Sequence, residues 1–229
     1  MAKPKLAPTK DEFLKVLESS DGLFHAMEPY LIGSYVPRNT PVHRKQAERI
    51  VALAFMSIVA AWEEFVIGSF LRYLCGVKSP ANYGPTLRLG SCVDLSHATD
   101  LLSGQSDFDI EKNFLSMTSW EKVVGSAKIY FSGGAPYSSL NHIDVLNLQR
   151  AVAIRNRVAH KSRKCVSQFL SAARPHFGLQ PNASLAQGAD PGRLLTTHVT
   201  HLFPISNPPQ RYYEAYSTWF REKANVLVP

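Results

Sequence analysis

The sequence is poor in the features that most enzyme classes need. Its three cysteines, Cys75, Cys92 and Cys165, stand far apart and form no CxxC pair. That argues against a zinc ribbon and against a disulfide framework, and it fits a reducing cytoplasm. No P-loop, GxSxG or GxGxxG occurs, so neither nucleotide hydrolysis nor hydride transfer is expected. No DxD or ExxH pattern points to a metal pair of carboxylates. Charged residues are 19% of the chain, too few for disorder by charge excess. Thirteen glycines without a G-X-Y period exclude collagen. The longest apolar run, 50–62, falls short of the roughly 18–20 residues that cross a bilayer. Extending it to Leu74 crosses Glu63 and Glu64, which are costly in lipid. The basic start Met-Ala-Lys-Pro-Lys is followed by no apolar stretch, so no secretory signal is expected. The expected setting is cytoplasmic, with no membrane partner.

What the chain does have is an uneven positive charge. The 229 residues carry a formal net charge of +7. Residues 141–175 alone hold seven Lys/Arg against one Asp/Glu. The seven are Arg150, Arg155, Arg157, Lys161, Arg163, Lys164 and Arg174. A run of charge is most often a solvated helix face. The sharper reading is a surface that meets phosphate.

Hydrophobic periodicity predicts an all-α fold, a helical bundle with appended segments. Thr9 and Glu12 form a capping box before a short stripe of Phe13, Leu14 and Leu17. Ser19-Ser20-Asp21-Gly22 is expected to end that helix, with a second short one over 23–32. Thr40-Pro41 signals the start of a spine helix over about 42–74, bent near Gly68. Its apolar residues Ala47, Val51, Ala54, Ile58, Trp62 and Phe65 recur at spacings of three or four. Further helices are expected over about 93–102 and 110–117, and from a capping box at Thr118 to about Phe131. Ser132-Gly133-Gly134-Ala135-Pro136 is a stop. Ser139 or Asn141 can cap the next helix, and another follows over about 164–173. Residues 175–210 read as a Pro-rich arm with one apolar stretch, 194–203. Pro208-Pro209 opens a last helix. The expected organisation is an N-terminal helical extension (1–39), a bundle (40–175, with an insertion over about 76–141) and a C-terminal arm plus helix (176–229).

One motif lies inside the basic segment: Arg155-Asn156-Arg157-Val158-Ala159-His160, of the form R-N-x-x-x-H. Residues five apart on a straight helix differ by about 140° around its axis. Arg155 and His160 therefore share a site only if His160 sits at or past the helix end, or if a second chain completes the site. Chance placement of the chain's arginines and histidines yields about 0.45 R-x4-H pairs. Three occur, the others being Arg38 with His43 and Arg193 with His198. Only the Arg155–His160 copy combines an apolar-periodic helix with cationic surroundings.

This element, behind a long helix bearing Ala61-Trp62-Glu63-Glu64-Phe65, resembles the HEPN superfamily. More narrowly it is similar to the RiboL-PSP-HEPN and MAE-type groups of prokaryotic toxin and anti-phage systems. The resemblance covers about residues 40–175 and leaves 1–39 and 176–229 unexplained. It implies a metal-independent, cofactor-free endoribonuclease, acting as a homodimer in which the motifs of two chains face each other. It also implies RNA as substrate and a toxin or defence role, with an antitoxin or regulatory protein as a further partner. Arg155, Asn156 and His160 are then the catalytic residues. The 2′-OH of RNA attacks the adjacent phosphate, which needs proton transfer and stabilisation of charge on phosphorus. An imidazole titrates in the right range for the proton. An arginine fork binds phosphate oxygens in pairs. Asn156 is placed either to hold the scissile phosphate or to orient His160. Arg150, Arg157, Lys161, Arg163 and Lys164 are the candidate RNA-binding cations. Glu63 and Glu64 are either solvated or supporting partners of His160 or Arg155, and the resemblance favours Glu63.

Other groups have plainer readings. His198 and His201 are three apart but lack a third ligand, so surface histidines are expected rather than a metal site. Tyr212, Tyr213, Tyr216, Trp219 and Phe220 could stack bases, but at helical spacing they are expected to dock on the core. The competing function is a non-catalytic helical module that binds RNA or a protein.

Overall fold

Capping chemistry and buried stripes together set where each helix begins and ends in the computed structural model, which describes residues 4–31, 42–109 and 119–229. The helices are α1 (Ala7–Met27), α2 (Arg44–Leu74), α3 (Leu95–Ser103), α4 (Trp120–Tyr130), α5 (His142–Ala159), α6 (Arg163–Ala173), α7 (Pro191–Leu195) and α8 (Tyr212–Leu227). Short 3-10 turns lie at Glu28–Tyr30, Ser132–Gly134, Tyr137–Ser139 and Arg174–Phe177. Among the described residues, strand-type pairing is confined to two isolated bridges, Leu87 with Phe131 and His198 with Arg211. The fold is all-α.

Several expected boundaries hold for the expected reason. Asn141 and Asp144 cap α5 reciprocally. The Asp144 N–H donates to Asn141 Oδ1 at 2.9 Å, and the Asn141 N–H donates to Asp144 Oδ2 at 3.2 Å. The start of α6 is set by Ser162, a cap not expected from the sequence, which accepts from the Cys165 N–H. The Ser132–Pro136 stop is made by Gly133 and Gly134, both with positive φ.

Others differ. α1 is not broken at Ser19–Gly22 but runs on to Met27. Its buried stripe, Phe13, Leu17, Ser20 and Phe24, keeps helical spacing straight through that segment. Ser217 Oγ also donates to Asp21 Oδ1 at 2.7 Å. Tertiary burial thus outweighs the weak helix propensity of Ser, Asp and Gly. The same helix starts before Thr9, so Thr9 caps nothing and is buried in its first turn. The last helix begins at Tyr212 rather than at the prolines, its first turn closed by Glu214 Oε2 accepting from the Arg211 N–H at 2.7 Å. The apolar stretch 194–203 ends a short helix and then forms an arm held by the His198–Arg211 bridge. The Thr40-Pro41 start, Thr118 and the helix expected over 110–117 lie outside the described residues.

The chain groups into two units, each drawing on all three segments distinguished in the sequence. The first comprises 1–14, 61–145 and 221–229. Its core is aromatic: Phe13 stacks on Phe65 at 5.2 Å and meets Trp62 edge-on at 5.7 Å, and Phe70 packs on Phe131 at 4.9 Å. Several polar groups inside are matched. Tyr137 and Ser69 share a hydrogen bond of 2.8 Å, Tyr73 Oη donates to the Leu227 carbonyl at 2.8 Å, and Lys223 pairs with Asp144 at 2.8 Å. In this unit burial pushes the Cys75 thiol up to about 11, which keeps it protonated and unreactive at neutral pH.

The second unit comprises 15–60 and 146–220. Phe24 stacks on Tyr213 at 4.5 Å, and Phe55 meets Tyr216 edge-on at 5.3 Å. α7 approaches α2 so closely that a Cβ on Gly192 would overlap the Glu48 carbonyl. Backbone lies against backbone there, so neither side can yield by changing a rotamer. Gly192→Ala is therefore expected to cost about 2–3 kcal/mol, the upper range for overpacking. Urea denaturation checks it, and a loss below about 0.5 kcal/mol would show that the two helices can separate freely.

α2 is long and apolar enough by composition to cross a membrane, with a mean hydropathy of 2.0 in its most apolar window, half of it buried. Val51, Phe55, Ile58 and Val59 are buried in the second unit, and Trp62, Phe65, Val66 and Phe70 in the first. These are core positions on several faces of the helix, as a spine helix requires.

Candidate functional site

The R-N-x-x-x-H motif spans the C-terminal end of α5. Asn147, Leu148, Ala151 and Ile154 form that helix's buried stripe. Arg155 follows Ala151 by one turn and sits at the stripe's edge, half-buried, with Nε sequestered from solvent. Ala159 is the last helical residue. His160 is the first residue beyond it, and its N–H still donates to the Asn156 carbonyl at 2.9 Å. Arg157 Nη1 donates to the His160 carbonyl at 3.4 Å, a weak tie across the helix end. Of the two arrangements that the five-residue spacing allowed within or between chains, His160 takes up the first, at the helix terminus. Its imidazole is exposed, and among the described residues no hydrogen bond holds it.

The chain then turns through Lys161 and Ser162 into α6. One face of α6 lines an open groove of about 440 Å³. Lys161, Arg163 and Arg174 supply its cations, Ser167 and Ser171 its hydroxyls, and Val166 and Leu170 its apolar floor. The helical residues recur at 163, 166/167, 170/171 and 174, three or four apart from turn to turn, which is how a single face presents itself. Arg174 Nε donates to the Ala183 carbonyl at 2.8 Å, which anchors that guanidinium. Between Asp144 and Asp190 the chain has no carboxylate at all. Arg163 and Lys164 occupy the first turn of α6, where the helix dipole disfavours cations. An anion bound there would relieve both.

Arg150, one of the candidate RNA-binding cations, is half-buried, and its Nη1 donates to Asn147 Oδ1 at 2.9 Å. It lies beside the buried stripe, one position before Ala151, and its charge is felt by His176 and Tyr216 in the interior. Arg157 is half-buried, whereas Lys161, Arg163 and Lys164 are exposed. Lys164 stands outside the groove lining.

His176 escaped the sequence reading altogether. It is fully buried, with Nδ1 2.9 Å from the Ala172 carbonyl and Nε2 3.0 Å from Tyr216 Oη. A carbonyl only accepts, so Nδ1 carries the proton and Nε2 accepts from the tyrosine. Thr200 Oγ1 and Tyr212 Oη both donate to the His176 carbonyl. Burial pushes this imidazole down to about 4, and the Arg150 charge adds to the effect. A neutral histidine thus ties the end of α6 to the chain after it.

Glu63 is half-buried and Glu64 exposed. His198 and His201 are exposed. Among the described residues no group of three or more His, Cys, Asp or Glu is placed to hold a metal ion. Tyr212, Tyr213, Tyr216, Trp219 and Phe220 are buried, so their rings dock in the core and offer no face to a base. Of the other R-x4-H pairs, Arg38 lies outside the described residues. Arg193 is exposed, with Nη1 donating to the Gln187 carbonyl at 3.2 Å. No family model matches the chain, and neither does any curated protein or solved structure.

Proposed function

We propose that this protein is a metal-independent endoribonuclease of the HEPN kind. The observation that carries the reading is an exposed histidine at the end of α5, preceded by Arg155 and followed directly by a cationic groove without a carboxylate. In this reaction the RNA supplies its own nucleophile. The 2′-oxygen attacks phosphorus, the bond from phosphorus to the 5′-oxygen breaks, and a 2′,3′-cyclic phosphate and a 5′-OH are left. One proton leaves the 2′-OH and one reaches the departing oxygen. Imidazole does both jobs at neutral pH. Arg155 binds the phosphate oxygens and offsets the charge that builds on them. Asn156 holds the same phosphate or orients His160.

One imidazole cannot serve as base and acid in the same step. A homodimer that brings two copies of His160 together supplies both, which agrees with an imidazole that no hydrogen bond restrains among the described residues. The role as a toxin or defence effector, held in check by a protein partner, rests on the resemblance alone. The test is incubation of the purified protein with total RNA in EDTA, followed by analysis of the product ends. Cyclic-phosphate and 5′-OH ends are expected. Cleavage that stops in EDTA, or ends bearing a 5′-phosphate, would exclude this mechanism. The competing reading, a module that only binds RNA, is favoured by the same unrestrained His160 and predicts binding without any cut.

A further inference from the structure

We infer that the α6 groove seats the sugar–phosphate backbone of the RNA strand that flanks the cleaved bond, and does so without selecting bases. The identity of the strand as RNA rests on the proposed function. The grip itself rests on the groove. Its first cation, Lys161, is the residue after His160, so the groove opens directly beside the reacting histidine. From Arg163 to Arg174 the α6 face extends about 16 Å at 1.5 Å per residue, room for more than one phosphate. Arg174 is already anchored through Nε to the Ala183 carbonyl, so less freedom is lost when its guanidinium meets an anion. Ser167 and Ser171 add neutral donors between the charges. Among the described residues, no carboxylate and no aromatic ring lines the groove. The first absence spares phosphate any repulsion. The second removes the stacking platforms by which single-stranded sites hold bases. What is left grips phosphate and ribose alike in every sequence.

The probe is a set of dye-labelled 12-nucleotide single strands, oligo-U, oligo-A and an oligodeoxythymidine, with binding followed by fluorescence anisotropy on the full chain. All three are expected to bind within a few-fold of one another, with affinity falling as salt rises. Ser167 and Ser171 are exposed, so the double variant Ser167→Glu/Ser171→Glu retains the helix, as circular dichroism will show. Two added carboxylates are expected to weaken binding about tenfold or more and to flatten the salt dependence. The Ser167→Ala/Ser171→Ala variant, which removes two neutral donors and adds no charge, is expected to lose distinctly less affinity than the Glu variant and to retain the wild-type salt dependence. Unchanged binding by the Glu variant would overturn the inference, as would a preference above about a hundredfold for one base. Binding to phosphatidylserine vesicles that the Glu variant loses, with oligonucleotide binding unaffected, would also overturn it. The two readings fail separately. If wild type grips all three strands in the groove and cuts none, the nuclease is excluded and the groove stands. If RNA is cut with equal KM by wild type and the Glu variant, the groove is excluded and the nuclease stands.

Discussion

His160→Ala is expected to slow RNA cleavage by about 10²–10⁴-fold, the range in which a positioned general acid or base contributes, while RNA binding stays within a few-fold of wild type. The separation follows from the layout. His160 lies beyond α5, exposed and outside the groove lining, so its removal disturbs neither the helix nor the cations that grip the strand. Arg155→Ala behaves differently, because a half-buried guanidinium at the edge of the α5 stripe supports packing as well as phosphate. Its variant should lose both cleavage and some stability, whereas Arg155→Lys should retain the stability and lose the paired phosphate contact. Single-turnover cleavage and anisotropy on the same preparations distinguish these outcomes. Equal cleavage by wild type and His160→Ala would remove the motif from the mechanism.

The second large effect is on stability and needs no substrate. His176 titrates near 6.5 when unfolded and at about 4 when buried in the fold. Between these values the unfolded chain binds a proton that the folded chain refuses, so stability rises with pH. The contribution is complete above pH 6.5 and is lost as pH falls toward 4. One residue therefore removes about 2 kcal/mol by pH 5 and about 3 kcal/mol by pH 4. Urea midpoints should fall over that window in the wild type. His176→Gln preserves a donor for Ala172 and an acceptor for Tyr216 but cannot take up a proton. Its midpoints should decline less by this amount, while exposed histidines and carboxylates titrate equally in both proteins. Parallel pH profiles would show that His176 is not the group that resists protonation.

Local signals carried much of the helix pattern. The Asn141 cap and the double glycine at 133–134 act within a few residues, which made them legible, whereas the equally local Ser162 cap was not singled out. The α2 spine was legible because Ala47, Val51, Ala54, Ile58, Trp62 and Phe65 recur at spacings of three or four. The failures came where distant packing overrode local preference. Ser19–Gly22 reads as a break, yet Phe24 must stack on Tyr213, far along the chain, and the helix continues to put it there. Thr9 reads as a cap, yet it is buried and packs against Gly68.

The candidate site divides along the same line. Charge and motif are properties of chain order, so the cationic segment, the R-N-x-x-x-H element and its cramped five-residue spacing were all visible as letters. Which cations face out was not, because burial depends on residues brought in from elsewhere. Arg150 and Arg163 look alike in the sequence. One is bonded to Asn147 beside a buried stripe, and the other lines an open groove. Ser167 and Ser171 become binding candidates only once α6 has a free face, although their four-residue spacing was there to read. His176 carried no local signal, since its low proton affinity is created by the exclusion of water and, to a lesser degree, by the Arg150 charge, neither of which is set by its neighbours in the chain. Most helix starts and stops follow from interactions a few residues apart. The full length of α1, the choice of which cations stay exposed and the buried histidine follow from long-range packing, which only the folded chain brings about.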